Sequence, residues 1–564
     1  MRRTSYAAGA ALGLLASYSL LDVGESVNGG VLAARTLRRA GVRTLFALPG
    51  GHNMPLFRAA PSEGIRLIDT RHEEGAAMMA EGWALATGDV GAATVTAGPG
   101  LANAVPGIAE ANHAGAPVVV VAGRTGLRQR GRGAVQDLDQ LSLVAPITKW
   151  REECVATDRI PEYVAEGVHR ARSGAPGVAY LEIPVDVFGA SAAERDVDVP
   201  PFARGTAPQG DLDRAVDVLA GASRPVVVAG SGAFFSKAGD SLRQFVETSG
   251  IPVVTTSAAR GLIDDDHPRA LGGLVHGGIA VASADAVLVL GSRFNANLMY
   301  GGPPLLPADG AVIQVDVDPE HIGGQRVPDV GIVGDVATAL DGLTEAWKSP
   351  PEAVDEWCAR ARDAAAVSRS QWETEGDRAA DGIHPGWLAR EVSRFGEDIG
   401  PCTTVSDGGD SAIWGIALFR AHRPGTHMYI GSALGTLGVG LPFAIAAKAA
   451  RSDQPTILLT GDGALGLSAM ELDTAARHDL PVIVVVVNNG GWGGDERSAA
   501  RFRMRFDMMA QAVDGHGETV TESDQIRPAL QRAAKSGVVS VLNVVTDPHA
   551  ESDLMRGLGS MDVM

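Results

Sequence analysis

Two stretches of sequence decide the fold: Thr456-Ile-Leu-Leu-Thr-Gly-Asp-Gly463 and Pro481-Val-Ile-Val-Val-Val-Val-Asn-Asn-Gly-Gly491. In each stretch a continuous apolar run ends in a polar turn that is rich in glycine. Such runs are typical of strands buried on both faces, as in a parallel sheet that helices cover. A helical stretch, residues 468–477, lies between the two runs. The pair therefore predicts a strand–helix–strand unit of a doubly wound sheet, with both polar turns at one edge.

The same alternation of apolar runs and helical stretches extends over most of the 564 residues. Two stretches that lack it, 189–210 and 348–381, are interpreted as linkers. The predicted fold class is α/β, with three doubly wound parallel-sheet domains in series. The predicted segments are an N-terminal extension at 1–24, domains at 25–190, 205–345 and 375–548, and a C-terminal tail at 549–564.

Composition limits the compartment and the partners. The formal net charge of −19 argues against non-specific binding to nucleic acid and to an anionic membrane surface. Cys154, Cys358 and Cys402 are odd in number and far apart, which predicts a reducing, cytoplasmic environment without a disulfide framework. Arg2 and Arg3 precede a mostly apolar stretch that resembles a short signal segment, although a surface helix or a non-native start is the favoured interpretation.

The two turns of the third domain suggest a metal site. Asp462 and Asn489 follow neighbouring strands and are 27 positions apart, so we expect both at the carboxyl edge of one sheet. A carboxylate, an amide oxygen and a turn carbonyl suit Mg²⁺, whose octahedral shell is often completed by phosphate groups and water. Either turn alone is more often a plain turn; the spacing of the two is the specific signal.

This arrangement resembles the thiamine-diphosphate signature, a Gly-Asp-Gly turn followed by Asn-Asn. Residues 25–345 and 400–548 resemble the acetolactate synthase superfamily, which also holds oxalyl-CoA decarboxylase and 2-hydroxyacyl-CoA lyase. The resemblance implies thiamine diphosphate and Mg²⁺ as cofactors. It further implies the cofactor contacts: metal ligation by Asp462, the Asn489 side chain and the Gly491 carbonyl, and diphosphate contacts from the Gly463 and Ala464 amides.

The resemblance also implies an activating glutamate in the first domain. The segment Asp69-Thr-Arg-His-Glu-Glu-Gly-Ala76 matches the one that hydrogen-bonds the aminopyrimidine of the cofactor, and the matching residue is Glu73. The protein supplies orientation and electrostatics there, while the cofactor carries the chemistry. From the residues alone, Glu73 also fits a helix start whose carboxylate faces the helix dipole. Because these two domains meet across a subunit interface in the superfamily, a homodimer or homotetramer is implied.

Three further segments match the cofactor site of the superfamily. Gly431-Ser-Ala-Leu-Gly-Thr-Leu-Gly-Val-Gly-Leu-Pro442 matches the glycine-rich segment beside the aminopyrimidine, which implies contacts from Gly435 and Leu437. Leu437 stands where a large apolar residue keeps the cofactor bent, although a close-packed helix start explains the same residues. Pro49 lies in a loop near the ring, and Ser411 ends a segment that approaches the diphosphate.

Two residues are candidates for contact with the substrate. The segment after Gly133 matches one that brings a glutamine, here Gln136, to the site. Trp492 directly follows the metal turn and could wall the substrate pocket, but tryptophan is also a normal packing residue. Both are carried as catalytic candidates together with Glu73.

The resemblance defines the reaction class more firmly than the substrate. Val135-Gln136 argues against oxalyl-CoA decarboxylation, where a Tyr-Glu pair stands. The continuation at 488–496 and the segment 291–297 favour the CoA-linked branch over biosynthetic acetolactate synthase, while the short C-terminal tail argues against a CoA substrate. We therefore expect a decarboxylase or carboligase, that is a C–C lyase or transferase acting on a small 2-oxo acid or a 2-hydroxyacyl compound such as an acyl-CoA.

Two alternatives remain at this point. The chain could be a non-catalytic member that binds thiamine diphosphate and serves a structural or regulatory role. It could also be a flavin or nicotinamide oxidoreductase, although no Gly-x-Gly-x-x-Gly follows its first strand. The central domain could hold FAD, ADP or no nucleotide, because Gly230-Ser-Gly232 is a weak signal on its own.

Overall fold

The computed structural model describes residues 26–492 and 503–559. The signal-like N-terminal stretch, residues 493–496 of the branch argument and the last five residues of the tail lie outside the described residues. In the described part, no helix is both long enough and apolar enough to cross a membrane. The chain forms three six-stranded parallel sheets in series, each with helices on both faces, and this confirms the predicted fold class.

The first domain contains the first of these sheets. Its elements are β1 (Ser26–Asn28), α1 (Gly29–Arg39), β2 (Thr44–Ala47), α2 (Met54–Ser62), β3 (Arg66–Asp69), α3 (Glu73–Thr87), β4 (Gly91–Val95), α4 (Pro99–Ala114), β5 (Val118–Arg124), α5 (Gln140–Val144), β6 (Trp150–Glu153), α6 (Ile160–Arg172), β7 (Val178–Pro184), α7 (Val185–Gly189) and β8 (Ser191–Ala193). The sheet order is β3-β2-β4-β5-β7-β6, and β1 pairs with β8 outside it. The order reverses direction between β2 and β4, so ligands are expected near the ends of these strands.

The central domain repeats this architecture. Its elements are α8 (Gln209–Gly221), β9 (Pro225–Ala229), α9 (Ser231–Phe235), α10 (Gly239–Ser249), β10 (Val253–Thr255), β11 (Ala270–Gly273), α11 (Leu274–Ala282), β12 (Ala286–Leu290), β13 (Ala311–Asp316), β14 (Val330–Val333), α12 (Val336–Ala346) and α13 (Val354–Glu375). The sheet order is β11-β10-β9-β12-β13-β14. Helix α13 falls in a stretch interpreted from the sequence as a linker. It buries Trp357 and Ala361 in the apolar cluster on this sheet, so it belongs to the packed structure.

The third domain has sheet order β16-β15-β17-β18-β20-β19. Its elements are α14 (Pro385–Asp398), β15 (Thr403–Asp407), α15 (Asp410–Leu418), β16 (His427–Tyr429), α16 (Gly440–Ala450), β17 (Thr456–Gly461), α17 (Asp462–Ser468), α18 (Glu471–Arg477), β18 (Val482–Asn488), α19 (Phe506–Ala512), β19 (His516–Val520), α20 (Ile526–Ser536), β20 (Ser540–Val545) and α21 (Asp553–Gly559). Short 3₁₀ turns complete the chain at Ala145–Ile147, Thr157–Arg159, Ser257–Ala259, Ala296–Gly301, Pro319–His321 and Ser523–Gln525.

The first and third domains share one apolar core. Helix α3 packs along α16, and Met78, Met79 and Phe443 belong to the same buried cluster. The approach of the two helices depends on Gly82, where a Cβ would lie 2.8 Å from the Phe443 backbone. Polar contacts extend the interface, because the Glu471 carboxylate accepts the backbone N–H groups of Arg71 and His72. The helix that begins at Glu73 is therefore fixed against the third domain.

Candidate cofactor and metal site

The two polar turns of the third domain lie side by side. Strands β17 and β18 are paired in parallel along their length, so Asp462 and Asn489 both stand at the carboxyl edge of the sheet. The Gly490 N–H donates to Asp462 Oδ2 at 3.0 Å and ties one turn to the other. The left-handed backbone of Gly490, with φ of 81°, permits this tight turn. The structure thus brings together the turns that contain the three predicted metal ligands.

Asp462 is a half-buried carboxylate that follows strand β17. Burial raises the pKa of Asp462, and the backbone N–H groups of Gly463 and Gly490 oppose this shift. Within residues 26–492 and 503–559, no basic side chain forms an ion pair with Asp462. The Gly463 N–H donates to Asp462 Oδ1 at 2.9 Å, whereas the sequence predicted that this amide faces a diphosphate. The following residue, Ala464, is buried.

The two asparagines have different surroundings. Asn488 is fully buried, and its Nδ2 donates to Asn543 Oδ1 at 2.8 Å and to the Met504 carbonyl at 2.9 Å. Asn489 is half-buried, and its Oδ1 accepts the Gly491 N–H at 3.3 Å. Asn488 therefore anchors the end of the strand, which leaves Asn489 at the turn beside Asp462. A carboxylate, an amide oxygen and a carbonyl in one turn pair form a donor set that suits Mg²⁺.

Trp492 covers the metal turn. Its ring atoms lie 3.0 Å from the position that a Cβ on Gly463 would occupy. Any larger residue at 463 would therefore displace the indole. Trp492 is 49% exposed.

Ser411 adjoins the same turn from helix α15. Its Oγ donates to the Asp407 carbonyl at 2.8 Å. A Cβ on Gly461 would stand 3.1 Å from that Oγ, and a Cβ on Gly408 would stand 2.3 Å from it. The hydroxyl is thus enclosed by two glycines beside Asp462, which fits its predicted place near a phosphate group.

The glycine-rich loop at 431–442 is held by a buried carboxylate that sequence reasoning did not identify. Asp407 accepts the N–H groups of Gly438 at 3.1 Å and Gly440 at 2.8 Å. Burial raises the pKa of Asp407 to about 6, although these hydrogen bonds oppose the shift. Leu437 lies half-buried directly before this clamp, and Gly435 is exposed with φ of 70°. The loop therefore has a fixed end at 438–440 and an open end at 435.

Glu73 occupies the carboxyl edge of the first sheet. It is 6% exposed and stands at the first position of helix α3. Asn103 Nδ2 donates to Glu73 Oε2 at 3.0 Å, and a Cβ on Gly100 would lie 3.3 Å from the other carboxylate oxygen. The helix cap is His72, whose ring accepts the Glu74 N–H. Since capping is performed by His72, the buried Glu73 carboxylate is available for another role.

Gln136 lies with two polar residues near Glu73. Thr96 Oγ1 is 3.4 Å from Gln136 Oε1 and 3.4 Å from His52 Nδ1. Burial lowers the pKa of His52, although its hydrogen bond with Gln136 opposes the shift. Gln136 has φ of 63°, a left-handed conformation that costs a non-glycine residue about 1–2 kcal/mol. Such strain at a side chain beside a polar cluster is typical of functional positions.

Pro49 is exposed in the loop between β2 and α2. The loop behind it is tightly packed. Gly50 donates its N–H to Asn53 Oδ1 at 2.8 Å, and a Cβ on Gly50 would meet Thr96 at 2.4 Å. The loop therefore shapes the wall around Thr96, while contact by Pro49 itself stays a prediction.

The candidate site has two parts, the cluster around Glu73 and the Asp462–Asn489 turn pair, which we call half-sites. They belong to different sheets. No hydrogen bond or ion pair among the described residues joins Glu73 to the Asp462 turn.

Apolar side chains are exposed around helices α17–α19 and the loop at 431–442, in a set that we call the apolar rim. The apolar rim consists of Leu434, Leu467, Met470, Met504 and Met508. Exposed apolar surface of this kind is typical of a protein–protein interface.

A separate pocket of about 320 Å³ lies at the carboxyl edge of the central sheet. The turn after β9 contributes Gly232, the turn after β12 contributes Ser292, and β13 ends in Asp316. The first domain closes one side with Arg172, and the third domain contributes Ser432. A pocket at the strand ends of a doubly wound sheet, with glycines and an acid, suits a nucleotide.

Comparison with protein families finds three matches along the chain. Residues 27–143 match the thiamine pyrophosphate enzyme N-terminal TPP binding domain. Residues 212–343 match the central domain of the same enzymes, and residues 407–544 match their C-terminal TPP binding domain. Each match falls on one of the three sheets.

Individual relatives span almost the whole chain. The acetolactate synthase large subunit IlvG of Mycobacterium tuberculosis is 33% identical over 545 residues, which cover 93% of this chain and 96% of that protein. The 2-hydroxyacyl-CoA lyase of Arabidopsis thaliana is 31% identical over 94% of this chain and 97% of its own length. The acetolactate synthase isozyme 2 large subunit of Escherichia coli is 30% identical over 92% and 96%, respectively.

Proposed function

Because this chain belongs to the thiamine pyrophosphate enzyme family, we propose that it is a thiamine-diphosphate- and Mg²⁺-dependent C–C lyase or carboligase. Its substrates are 2-oxo acids or 2-hydroxyacyl compounds. The observation that carries the proposal is the pairing of a buried acid, Glu73, at one sheet edge with the Asp462–Asn489 turn pair at another. When bound, the cofactor supplies the electron sink for breaking or forming the bond beside a carbonyl carbon.

The diphosphate end of the cofactor is assigned to the third domain. Asp462, the Asn489 side chain and the Gly491 carbonyl would hold Mg²⁺, and Ser411 would approach a phosphate oxygen. The fit is supported by the raised pKa of Asp462, which burial causes, and by the absence of a basic partner in the described part of the chain. A divalent cation would offset this buried negative charge. A Trp492 ring above the turn would exclude water from one side.

The aminopyrimidine end is assigned to Glu73 and Leu437. Glu73 would hold a proton at its carboxyl group and exchange it with the ring nitrogen. Asn103 fixes Glu73 Oε2 at 3.0 Å, so the other oxygen is the one directed at a ligand. Leu437 would support the bend of the cofactor from its half-buried place beside Gly438. Gln136, with Thr96 and His52 around it, would orient the substrate's oxygen atoms.

A product survey tests the reaction. The purified chain with thiamine diphosphate and Mg²⁺ is incubated with a panel of 2-oxo acids, 2-hydroxyacyl-CoA esters and acceptor aldehydes, and products are identified by mass spectrometry. Aldehyde and formyl-CoA from a 2-hydroxyacyl-CoA would identify the lyase activity, and a 2-hydroxy-2-alkyl-3-oxo acid would identify the carboligase. A panel without any C–C cleavage or ligation contradicts the proposal.

The alternative is a non-catalytic member that binds the cofactor in a structural or regulatory role. A matched pair of variants separates the two. Glu73→Gln removes the buried carboxyl group, and Glu74→Gln makes the same change at its half-buried neighbour. If the chain is an enzyme, turnover is expected to fall only in Glu73→Gln. A regulatory member would bind thiamine diphosphate with no turnover in either.

We further propose that two or four copies of the chain assemble, and that the two half-sites complete each other across an interface. The apolar rim supports this, because Leu467 and Met470 are each more than half exposed beside the site. Sedimentation equilibrium measures the mass directly. Met470→Glu places a charge in the rim and is expected to weaken both assembly and cofactor affinity; a fully active monomer would contradict the proposal.

The central pocket is proposed to take an adenine nucleotide. Asp316 and the glycine turns at 230–232 support this, and the pocket does not discriminate between ADP and FAD. Thermal shift with ADP and the visible flavin spectrum of the purified protein separate the two ligands. A protein that copurifies without nucleotide and is not stabilised by ADP or FAD contradicts this part of the proposal.

A further inference from the structure

The loop that carries Leu437 is held by two carboxylates from two different domains. Behind Leu437, Asp407 of the third domain accepts the Gly438 N–H at 3.1 Å. Before Leu437, Glu110 of the first domain accepts the Thr436 N–H through Oε2 at 3.4 Å. Leu437 therefore sits between two clamped backbone amides. The two carboxylates are also close enough that the charge of Glu110 raises the pKa of Asp407.

Glu110 is an unusual residue for this task, because it is completely buried in helix α4. Its second oxygen, Oε1, has no hydrogen-bond partner within the described residues. A buried carboxylate is costly unless its oxygens are satisfied, so an apolar helix would not carry one for packing alone. The residue instead reaches across the domain boundary to a single backbone N–H. The contact joins positions 326 apart in the sequence.

Glu81 of helix α3 is a second buried acid in this region. It is 1% exposed, and its Oε2 also lacks a partner in the described part of the chain. Burial and the charge of Glu110 hold the pKa of Glu81 well above its usual range. A protonated carboxyl group can donate its O–H to an acceptor. The Glu110 Oε1, which has no hydrogen-bond partner within the described residues, is an acceptor of this kind.

The same two helices also carry the activating acid. Asn103 and Glu110 are two turns apart on α4, and Glu73 and Glu81 are two turns apart on α3. The Asn103–Glu73 hydrogen bond lies near the start of the helix pair, and Glu81 and Glu110 follow farther along it. The helix pair therefore carries the Glu73 carboxyl group of one half-site and contacts the loop of the other half-site through Glu110.

We propose that Glu110 is a positioning residue, whose buried carboxylate fixes the backbone at Thr436 and thereby holds Leu437 in place against the cofactor. The inference rests on the proposed function, since it assigns a role in the binding of thiamine diphosphate. It concerns a residue that touches neither cofactor nor substrate.

Two variants of similar size test the hydrogen bond between Glu110 and the Thr436 N–H. Glu110→Gln keeps an oxygen that accepts the Thr436 N–H, and Glu110→Leu keeps the volume without an acceptor. The first readout is amide hydrogen–deuterium exchange of residues 431–442 in the cofactor-free protein. Glu110→Leu is expected to exchange these amides at least tenfold faster than the wild type, and Glu110→Gln within threefold. Equal exchange in wild type and Glu110→Leu overturns the proposal.

The second readout is the rate of deuterium exchange at C2 of bound thiamine diphosphate, measured by acid quench and proton NMR. Glu110→Leu is expected to slow this exchange at least tenfold while Glu110→Gln restores it to within threefold. A purely structural role would lower the Tm without changing the C2 rate of protein saturated with cofactor. A wild-type C2 rate in Glu110→Leu therefore also overturns the proposal.

Two controls keep these outcomes interpretable. If Glu110→Leu does not fold, the double variant Glu81→Leu/Glu110→Leu removes both buried acids together and leaves no unpaired carboxyl group. The same loss of loop protection is expected from it, and full protection overturns the proposal. Failure of the proposed function looks different, because wild-type protein would then fail to accelerate C2 exchange while the loop amides still respond to Glu110→Leu.

Discussion

Replacement of Glu73 by glutamine tests the chemistry at its most specific point. The change is isosteric, and a glutamine Oε1 can still accept the hydrogen bond that Asn103 Nδ2 donates at 3.0 Å. What is lost is the ability to hold and exchange a proton. Removal of a positioned acid–base group costs typically 10²–10⁴-fold in rate. At about 1.4 kcal/mol per factor of ten, the activation free energy should rise by roughly 3–5 kcal/mol.

The same geometry predicts that stability changes little. An intramolecular hydrogen bond contributes about 1 kcal/mol to stability, and the variant keeps an acceptor for Asn103. Even a loss of about 1 kcal/mol moves the Tm of a domain of this size by only roughly 2–4 °C. We therefore expect Glu73→Gln to fold, to bind thiamine diphosphate with affinity within about tenfold of wild type, and to lose turnover.

The assay compares Glu73→Gln with Glu74→Gln under saturating cofactor and Mg²⁺. Glu74 shares the helix start and is half-buried, but it makes no contact with Asn103. The kcat and the C2 exchange rate should fall together in the first variant and stay within twofold of wild type in the second. If Glu73→Gln turns over at the wild-type rate, or if both variants lose activity equally, the reasoning about this carboxyl group is refuted.

Three further perturbations address other parts of the molecule. Chelation of divalent metal should abolish cofactor binding, and added Mg²⁺ should restore it. The Asp462→Asn variant should need an at least about tenfold higher Mg²⁺ concentration for cofactor binding in a fluorescence titration. An unchanged Mg²⁺ requirement would exclude Asp462 as a ligand. Burial lowers the pKa of His422, but its hydrogen bond with Asp264 and the charge of Glu397 outweigh this and raise the pKa above 6.5. The stabilisation that protonated His422 provides is therefore complete below pH 6.5 and is lost as the pH rises through the raised pKa. His422→Gln should thus lower the Tm at pH 5.5 more than at pH 9. A difference in Tm that does not depend on pH would contradict this. Trp414 is fully buried, and Trp414→Ala should destabilise the third domain by about 3–5 kcal/mol, which a shift of less than 2 °C in the melting curve would contradict.

The parts of the fold that could be predicted are those that bury apolar side chains on both faces. Strands β17 and β18 are apolar along their length, so their ends and the turns after them were readable from the sequence. Strand β6, Trp150–Glu153, has a polar sequence and exposed positions, so no apolar run predicts it. It is held by backbone pairing with β7 at the sheet edge. Backbone pairing leaves no hydrophobic pattern in the chain.

The stretch that contains helix α13 was predicted to be charged and helical, but its contact with the central domain was not predicted, for a related reason. Its 22 residues are rich in charge, and the residues that face the core are widely spaced. The charged majority made the stretch resemble a linker, although Trp357 Nε1 donates to the Pro225 carbonyl at 2.9 Å and anchors the helix on the central domain. A single buried tryptophan in a charged helix was the signal that could have corrected this interpretation.

The residues of the candidate site also differ in how far the sequence predicts them. Asp462, Asn489 and Glu73 were predicted as site residues because each lies in a contiguous motif. The hydrogen bond from Asn103 to Glu73 spans 30 positions of the sequence. The support of the cofactor loop by Asp407 and Glu110 leaves no contiguous motif, because the partners lie 31 and 326 positions apart. Only the folded chain shows such pairs.

A charge inside an apolar helix is nevertheless a readable signal. Glu81 stands in Met79-Ala-Glu-Gly-Trp83, and Glu110 stands in Ile108-Ala-Glu-Ala111. Helix α3 is buried against both its neighbours, so a carboxyl group at position 81 must lose its water. An apolar residue of the same size would pack there at lower cost in free energy. An acid inside an apolar helix is therefore a sequence signal for a role beyond packing, and the hydrogen bond of Glu110 with the Thr436 N–H connects that residue to the loop at 431–442.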